Sequence, residues 1–144
     1  MRIPSWAAFL LAAASVGGCI VDKSISSSIG TTVKRGVGTK IVFADYAIFN
    51  WSRACVFGPY TPDETVESVT GIHGAATKAF DIRSNDGIDV LMFLGDDRVV
   101  HSVRHRRDQG DFGPEVVGKC YPRAEAVFVV RTPPPGSWGN IGPS

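Results

Sequence analysis

Three histidines, 14 acidic side chains and three cysteines are the groups in this 144-residue chain that could do chemistry. His101 and His105 stand at i and i+4, a spacing that on a helix would offer two imidazoles to one metal ion. His101 lies in Val99-Val100-His101-Ser102-Val103, a β-branched run that predicts a strand reaching His105. Four residues of strand span about 13 Å, too far for one ion, and no third ligand stands at a suitable spacing, so no metal is expected. Asp96-Asp97 and Asp86 with Asp89 lie in or beside expected turns, where solvated turn chemistry accounts for them. The sequence carries no Gly-x-Ser-x-Gly elbow, phosphate loop or dinucleotide fingerprint. No catalytic residues and no cofactor are expected, and the chain is read as a non-enzyme. His101, Arg104, His105, Arg106 and Arg107 form the one basic cluster. It suits an acidic partner or lipid headgroups, or it is a solvated strand end balanced by Asp108 and Asp111.

The cysteines are more informative. Residues 1–18 carry a positive Arg2 behind Met1, continue through the largely apolar stretch Ile3 to Val16, and end in Gly17-Gly18 before Cys19. The apolar stretch is shorter than the roughly 20 residues that cross a bilayer, and it fits a secretory signal. Val16-Gly17-Gly18-Cys19 resembles a bacterial lipobox. The resemblance implies cleavage before Cys19, diacylglycerol on its sulfur and acylation of the new N-terminus, several chains being needed for a stable anchor. The alternatives are a plain cleaved signal or an uncleaved membrane helix. Ile20 stands where Asp would favour retention in the inner membrane, which points to the outer membrane. Cys55 and Cys120 then remain as one pair, in a compartment where disulfides persist. Two buried free thiols are the alternative. A zinc site would want closer cysteine spacing.

Composition fits an exported globular domain, with 44% hydrophobic and 20% charged residues and a formal charge of +1. That charge removes the usual reason to expect nucleic acid. Cleavage would leave 144 − 18 = 126 residues with 14 basic and 14 acidic side chains, so binding must rest on local patches.

Residues 19–40, rich in Ser, Thr and Gly, read as a flexible membrane tether. Residues 41–131 read as a single α+β domain, a small antiparallel sheet of four to five strands with one short helix packed on it. Strands are expected at Ile41–Phe43, Trp51–Phe57, Ile88–Leu94, Arg98–His105 and Ala124–Arg131. Alternation in the second would set Trp51, Arg53, Cys55 and Phe57 on one side. Thr61 predicts an N-cap for a helix Pro62–Thr70 ending at Gly71. Residues 132–144, with Pro133-Pro134-Pro135, read as a disordered tail. Trp138 within it would mark a contact or reflect composition alone.

Phe49-x-Trp51 followed by Cys55-Val56-Phe57-Gly58-Pro59-Tyr60-Thr61-Pro62 resembles a segment of uncharacterised bacterial lipoproteins and secreted proteins. That resemblance implies an aromatic-x-Trp strand, a Pro-Tyr-Thr turn and a short helix, followed by an apolar hairpin. Many relatives carry Asp where this chain has Ser52. The family brings no established activity.

The expectation is a lipid-anchored cell-envelope protein that works by protein–protein contact, of the inhibitor, immunity or assembly-accessory type. Trp51, Tyr60, His101, Arg104 and Arg106 are the candidate contact residues, with Tyr60 projecting beside Trp51. The alternative is a purely structural envelope lipoprotein. An envelope hydrolase would need a pocket gathering Asp89, His101 and Arg104.

Overall fold

The computed structural model describes residues 17–144, with side chains from residue 24. The expected signal segment therefore lies outside the described residues except for Gly17 and Gly18, and the Cys19 side chain lies outside them as well.

The class is α+β, as the sequence predicts, but the strands divide between two antiparallel sheets. The larger has the order β4-β3-β2-β5, with β2 Arg53–Phe57, β3 Ile88–Leu94, β4 Val99–Arg106 and β5 Lys119–Pro122. The smaller has the order β1-β6-β7, with β1 Lys40–Val42, β6 Val127–Val130 and β7 Ile141–Pro143. Every residue of β3 is buried, the mark of a strand covered on both faces.

One face of the large sheet carries Ala54, Val56, Leu91, Phe93 and Val103, packed against the small sheet and two helices. Those helices are α1 Gly17–Val33 and α2 Phe43–Tyr46. Phe43 is the hub, with ring centroids 5.8, 6.0 and 4.9 Å from Phe93, Phe112 and Phe128. The opposite face carries Cys55, Phe57, Val90, Met92 and Leu94 under α3 Asp63–Thr70 and two 3-10 turns, Ala75–Lys78 and Ile82–Ser84. Cys55 lies directly opposite Cys120 in the β2–β5 register, and the two form a disulfide. Closing a loop of that 65-residue separation stabilises by about 4 kcal/mol in the chain-entropy account.

Three expectations are corrected. The segment 19–40 is not a flexible tether, because α1 runs to Val33 and β1 begins at Lys40. Ile25 and Ile29 are wholly buried and Val33 packs beside them, an i, i+4, i+8 stripe whose burial overrides poor local helix propensity. The segment 132–144 is not a disordered tail. β7 pairs with β6, and the Asn140 side chain accepts the Asp111 N–H at 2.8 Å. Gly139, at φ +85, lies so close to Gly113 that an added Cβ would stand 2.3 Å from its Cα. The domain therefore exceeds 41–131 at both ends. Lastly, Thr61 does not cap α3. Pro62 occupies the N-cap, and the Thr61 hydroxyl donates back to the Gly58 carbonyl at 2.7 Å. Gly71 does end the helix, left-handed at φ 69, its N–H donating to the Glu67 carbonyl.

Candidate functional site

Two constellations contain reactive residue types, and their geometry separates them. The first is interior. Asp89 of β3 and His105 of β4 are register partners, both fully buried on the aromatic side of the large sheet. His105 Nε2 lies 2.8 Å from the Gly110 carbonyl, which can only accept, so Nε2 carries the proton. Nδ1 then accepts from the Ser26 hydroxyl of α1, also at 2.8 Å. Asp89 Oδ2 accepts the Phe112 N–H at 3.3 Å, while Oδ1 is buried with no hydrogen-bond partner among the described residues. Burial pushes the Asp89 carboxyl from an ordinary 3.8 up to about 7, the Phe112 N–H opposing it. Burial also pulls His105 from 6.5 down to about 4. Both groups are thus held neutral near pH 5, which is how a low-dielectric interior tolerates them.

Ser26, His105 and Asp89 are the residue types of a nucleophilic triad, but their bonds are not those of one. The imidazole nitrogens are taken by Gly110 and Ser26, and the carboxyl turns to a backbone amide. The cluster joins α1 to the sheet. Neither of two depressions among the described residues gathers Asp89, His101 and Arg104. His101 lines one groove, Arg104 a second depression, and Asp89 neither.

The second constellation is open to solvent. A groove of about 680 Å³ lies between α3, the 3-10 turns and the start of β4. That volume falls within the span of roughly 300–1,000 Å³ usual for ligand sites. Asp63, Glu64 and Glu67 of α3 form one wall. Lys78, Phe80, Asp81 and Arg83 form another, and Val99 to Ser102 of β4 line the remainder. Asp63 pairs with Arg83 at 3.1 Å, and Glu67 accepts the Gly74 N–H at 2.8 Å. Ser102 Oγ is buried and has no hydrogen-bond partner among the described residues.

Backbone strain collects at this corner. Tyr60, Phe80 and Asp81 have φ of 62°, 52° and 53°, and they are the non-glycine residues with positive φ among those described. A left-handed conformation costs an L-residue about 1–2 kcal/mol. The segments touch, for the Tyr60 N–H donates to the Ile82 carbonyl at 2.9 Å. Tyr60 is 60% exposed and Phe80 38%. Strain retained where aromatic rings face water is characteristic of functional surfaces.

The candidate contact residues scatter around these sites. Tyr60 is exposed, as expected, but it joins the groove residue Ile82 through its backbone N–H and has no surface Trp51 beside it. Trp51 is not a surface contact: it is 6% exposed and its Nε1–H donates to the Ala47 carbonyl at 2.9 Å. β2 starts only at Arg53, so alternation does not extend back to Trp51, which packs with the aromatic face instead of beside Cys55. The Arg123 guanidinium covers its ring at 4.6 Å. His101 is half-buried, edge-to-face with Phe49 at 5.4 Å. Arg104 and Arg106 are exposed, lining the second depression, with Arg106 bonded to Asp108. The basic cluster is split further by Arg107, whose fork holds Asp111 at 2.7 and 2.8 Å. Sequence reasoning missed Phe80, Asp81 and Glu64. Their signal was weak, since nothing in Ala79-Phe80-Asp81 marks a left-handed turn as glycine would.

Among the described residues no group of three or more His, Cys, Asp or Glu could hold a metal ion, and no helix is long and apolar enough to cross a membrane. No family model, curated protein or solved structure matches the chain.

Proposed function

We propose that this chain is a lipid-anchored protein of the bacterial cell envelope that acts by protein–protein contact, and that the groove beside α3 is its contact face. The observation that carries the choice of face is the gathering of strained Tyr60, Phe80 and Asp81 at one corner, with two aromatic rings exposed. Rigid, partly exposed aromatics are the side chains that protein interfaces use as anchors. The anchor rests on the lipobox-like Val16-Gly17-Gly18-Cys19, and the Cys55–Cys120 disulfide suits an oxidising compartment. The outer membrane is the destination that Ile20 favours.

Photo-crosslinking amino acids at positions 60 and 80, in intact cells, test the reading. A discrete adduct from both positions supports it, and its absence at both, with adducts from Arg104 or Arg106, moves the contact to the other depression. Labelled fatty acid should enter the native chain and not Cys19→Ala. Label in that variant removes the anchor.

A further inference from the structure

We infer that the groove beside α3 receives a basic polypeptide segment of its partner; this rests on the contact reading above and adds the chemistry of what is bound. The groove places four carboxylates, Asp63, Glu64, Glu67 and Asp81, against two cations, Lys78 and Arg83. The chain as a whole is almost neutral, at +1, so this surplus of negative charge is local. Asp63 is matched by Arg83, and Glu67 is occupied by the Gly74 amide. Glu64 of α3 and Asp81 of the later turn both stand exposed at the groove, where an inserted Lys or Arg would meet free carboxylates. Complementary charge of this kind speeds encounter and fixes register.

Two features favour a polypeptide over a small cation. Among the described residues β4 is the outer strand of its sheet, paired only with β3. The stretch Val99–Ser102 therefore borders the groove with no strand beyond it, and main-chain groups there suit another main chain. A register shift at Phe93/Leu94 disturbs the pairing at this end of β4. Such irregularities re-aim side chains and stop continuous edge-to-edge pairing, which restricts the contact to a short segment. Ser102, which faces the groove side in register with Met92, supplies the second feature. Its buried and unbonded Oγ would gain a partner from an inserted backbone or side-chain donor, and a buried hydroxyl left unpaired is costly. Phe80, held outward at the rim, would cover the aliphatic stem of the inserted Lys or Arg.

The test uses two synthetic peptides of equal length, one alternating Arg and Leu and one alternating Glu and Leu, titrated against the purified chain with its disulfide intact. The basic peptide should bind saturably, weaken as salt is raised, and lose at least tenfold in affinity with Glu64→Lys. Asp81→Asn keeps a residue tolerant of the left-handed backbone and removes only charge, so it should lose affinity with an unchanged melting temperature. Arg104→Glu should leave binding as it is. Equal binding of both peptides, binding of neither, or insensitivity to both groove substitutions overturns the inference. Self-association abolished by Glu64→Lys would give the groove to a second copy and also overturns it. A crosslinked partner at positions 60 and 80 that persists in Glu64→Lys keeps the contact reading and discards the basic segment. Peptide binding without any crosslinked partner in cells does the reverse.

Discussion

The two faces of the large sheet are built to opposite ends. The face under α1 and the small sheet is sealed by interlocked rings around Phe43, and it hides Asp89 and His105 from water. The face under α3 and the 3-10 turns is packed with mostly aliphatic side chains around Phe57, tied at its edge by the disulfide, and left with a groove. The sealed face relaxes its polar groups by keeping them neutral. The open face keeps backbone strain and uncompensated charge at its rim. A small domain with few kcal/mol to spare can carry such strain on one side because the other side is overdetermined.

The largest expected effect tests the seal. Phe43→Ala should lose about 3–5 kcal/mol in denaturant unfolding, the range for burying a cavity where a large ring stood. A loss near that of a surface change would mean that the faces are equally loose. Next comes α1, which should behave as part of the core: Ile29→Ala should lose about 2–4 kcal/mol, whereas a tether would lose nothing.

The buried pair gives a pH signature of its own. Between about pH 4 and 6.5 the unfolded chain holds one proton on His105, while the folded chain holds one on Asp89. Proton counts match, so the pair leaves stability flat across that window, with a decline as pH rises towards 7. Asp89→Asn leaves His105 alone, depressed on folding, so stability should rise with pH from about 4 to 6.5, by about 1 kcal/mol per unit. His105→Gln leaves Asp89 alone, raised on folding, so stability should fall as pH rises from about 4 to 7. Parallel pH profiles of the two variants would dissolve the pairing. The smallest effect belongs to the open rim. Asp81→Gly relieves about 1–2 kcal/mol of left-handed strain and forfeits about 0.5–1 kcal/mol to backbone entropy, for a net gain in melting temperature of about 5 °C at most. A clear drop would show that this corner is not strained.

Much of the sheet was legible in the sequence. Ile88–Leu94 reads as a central strand because it is apolar throughout, and Gly95-Asp96-Asp97 reads as the hairpin that follows. The disulfide was legible as well, from cysteine number and the expectation of export. Both ends were misread for one physical reason: order there comes from distant partners. Ser and Thr in α1 say loop by propensity, yet Ile25, Ile29 and Val33 carried the helical spacing and were overlooked. Prolines 133–135 say tail, but Arg131, bonded to Glu115 at 3.1 and 2.7 Å and to the Gly139 carbonyl at 3.2 Å, holds the return that leads into β7. The groove was the least legible, because it joins segments around residues 64, 80 and 100 that no local pattern relates.

The docking of α1 leaves the chain no leash. Ile25, already locked into the interior, stands six positions after Cys19, a distance of about 9 Å along a helix. A molecule fastened by fat at that cysteine would ride flush on its bilayer like a limpet, unable to lean across the envelope. A partner of a molecule held in that way would have to come down to the membrane to be caught.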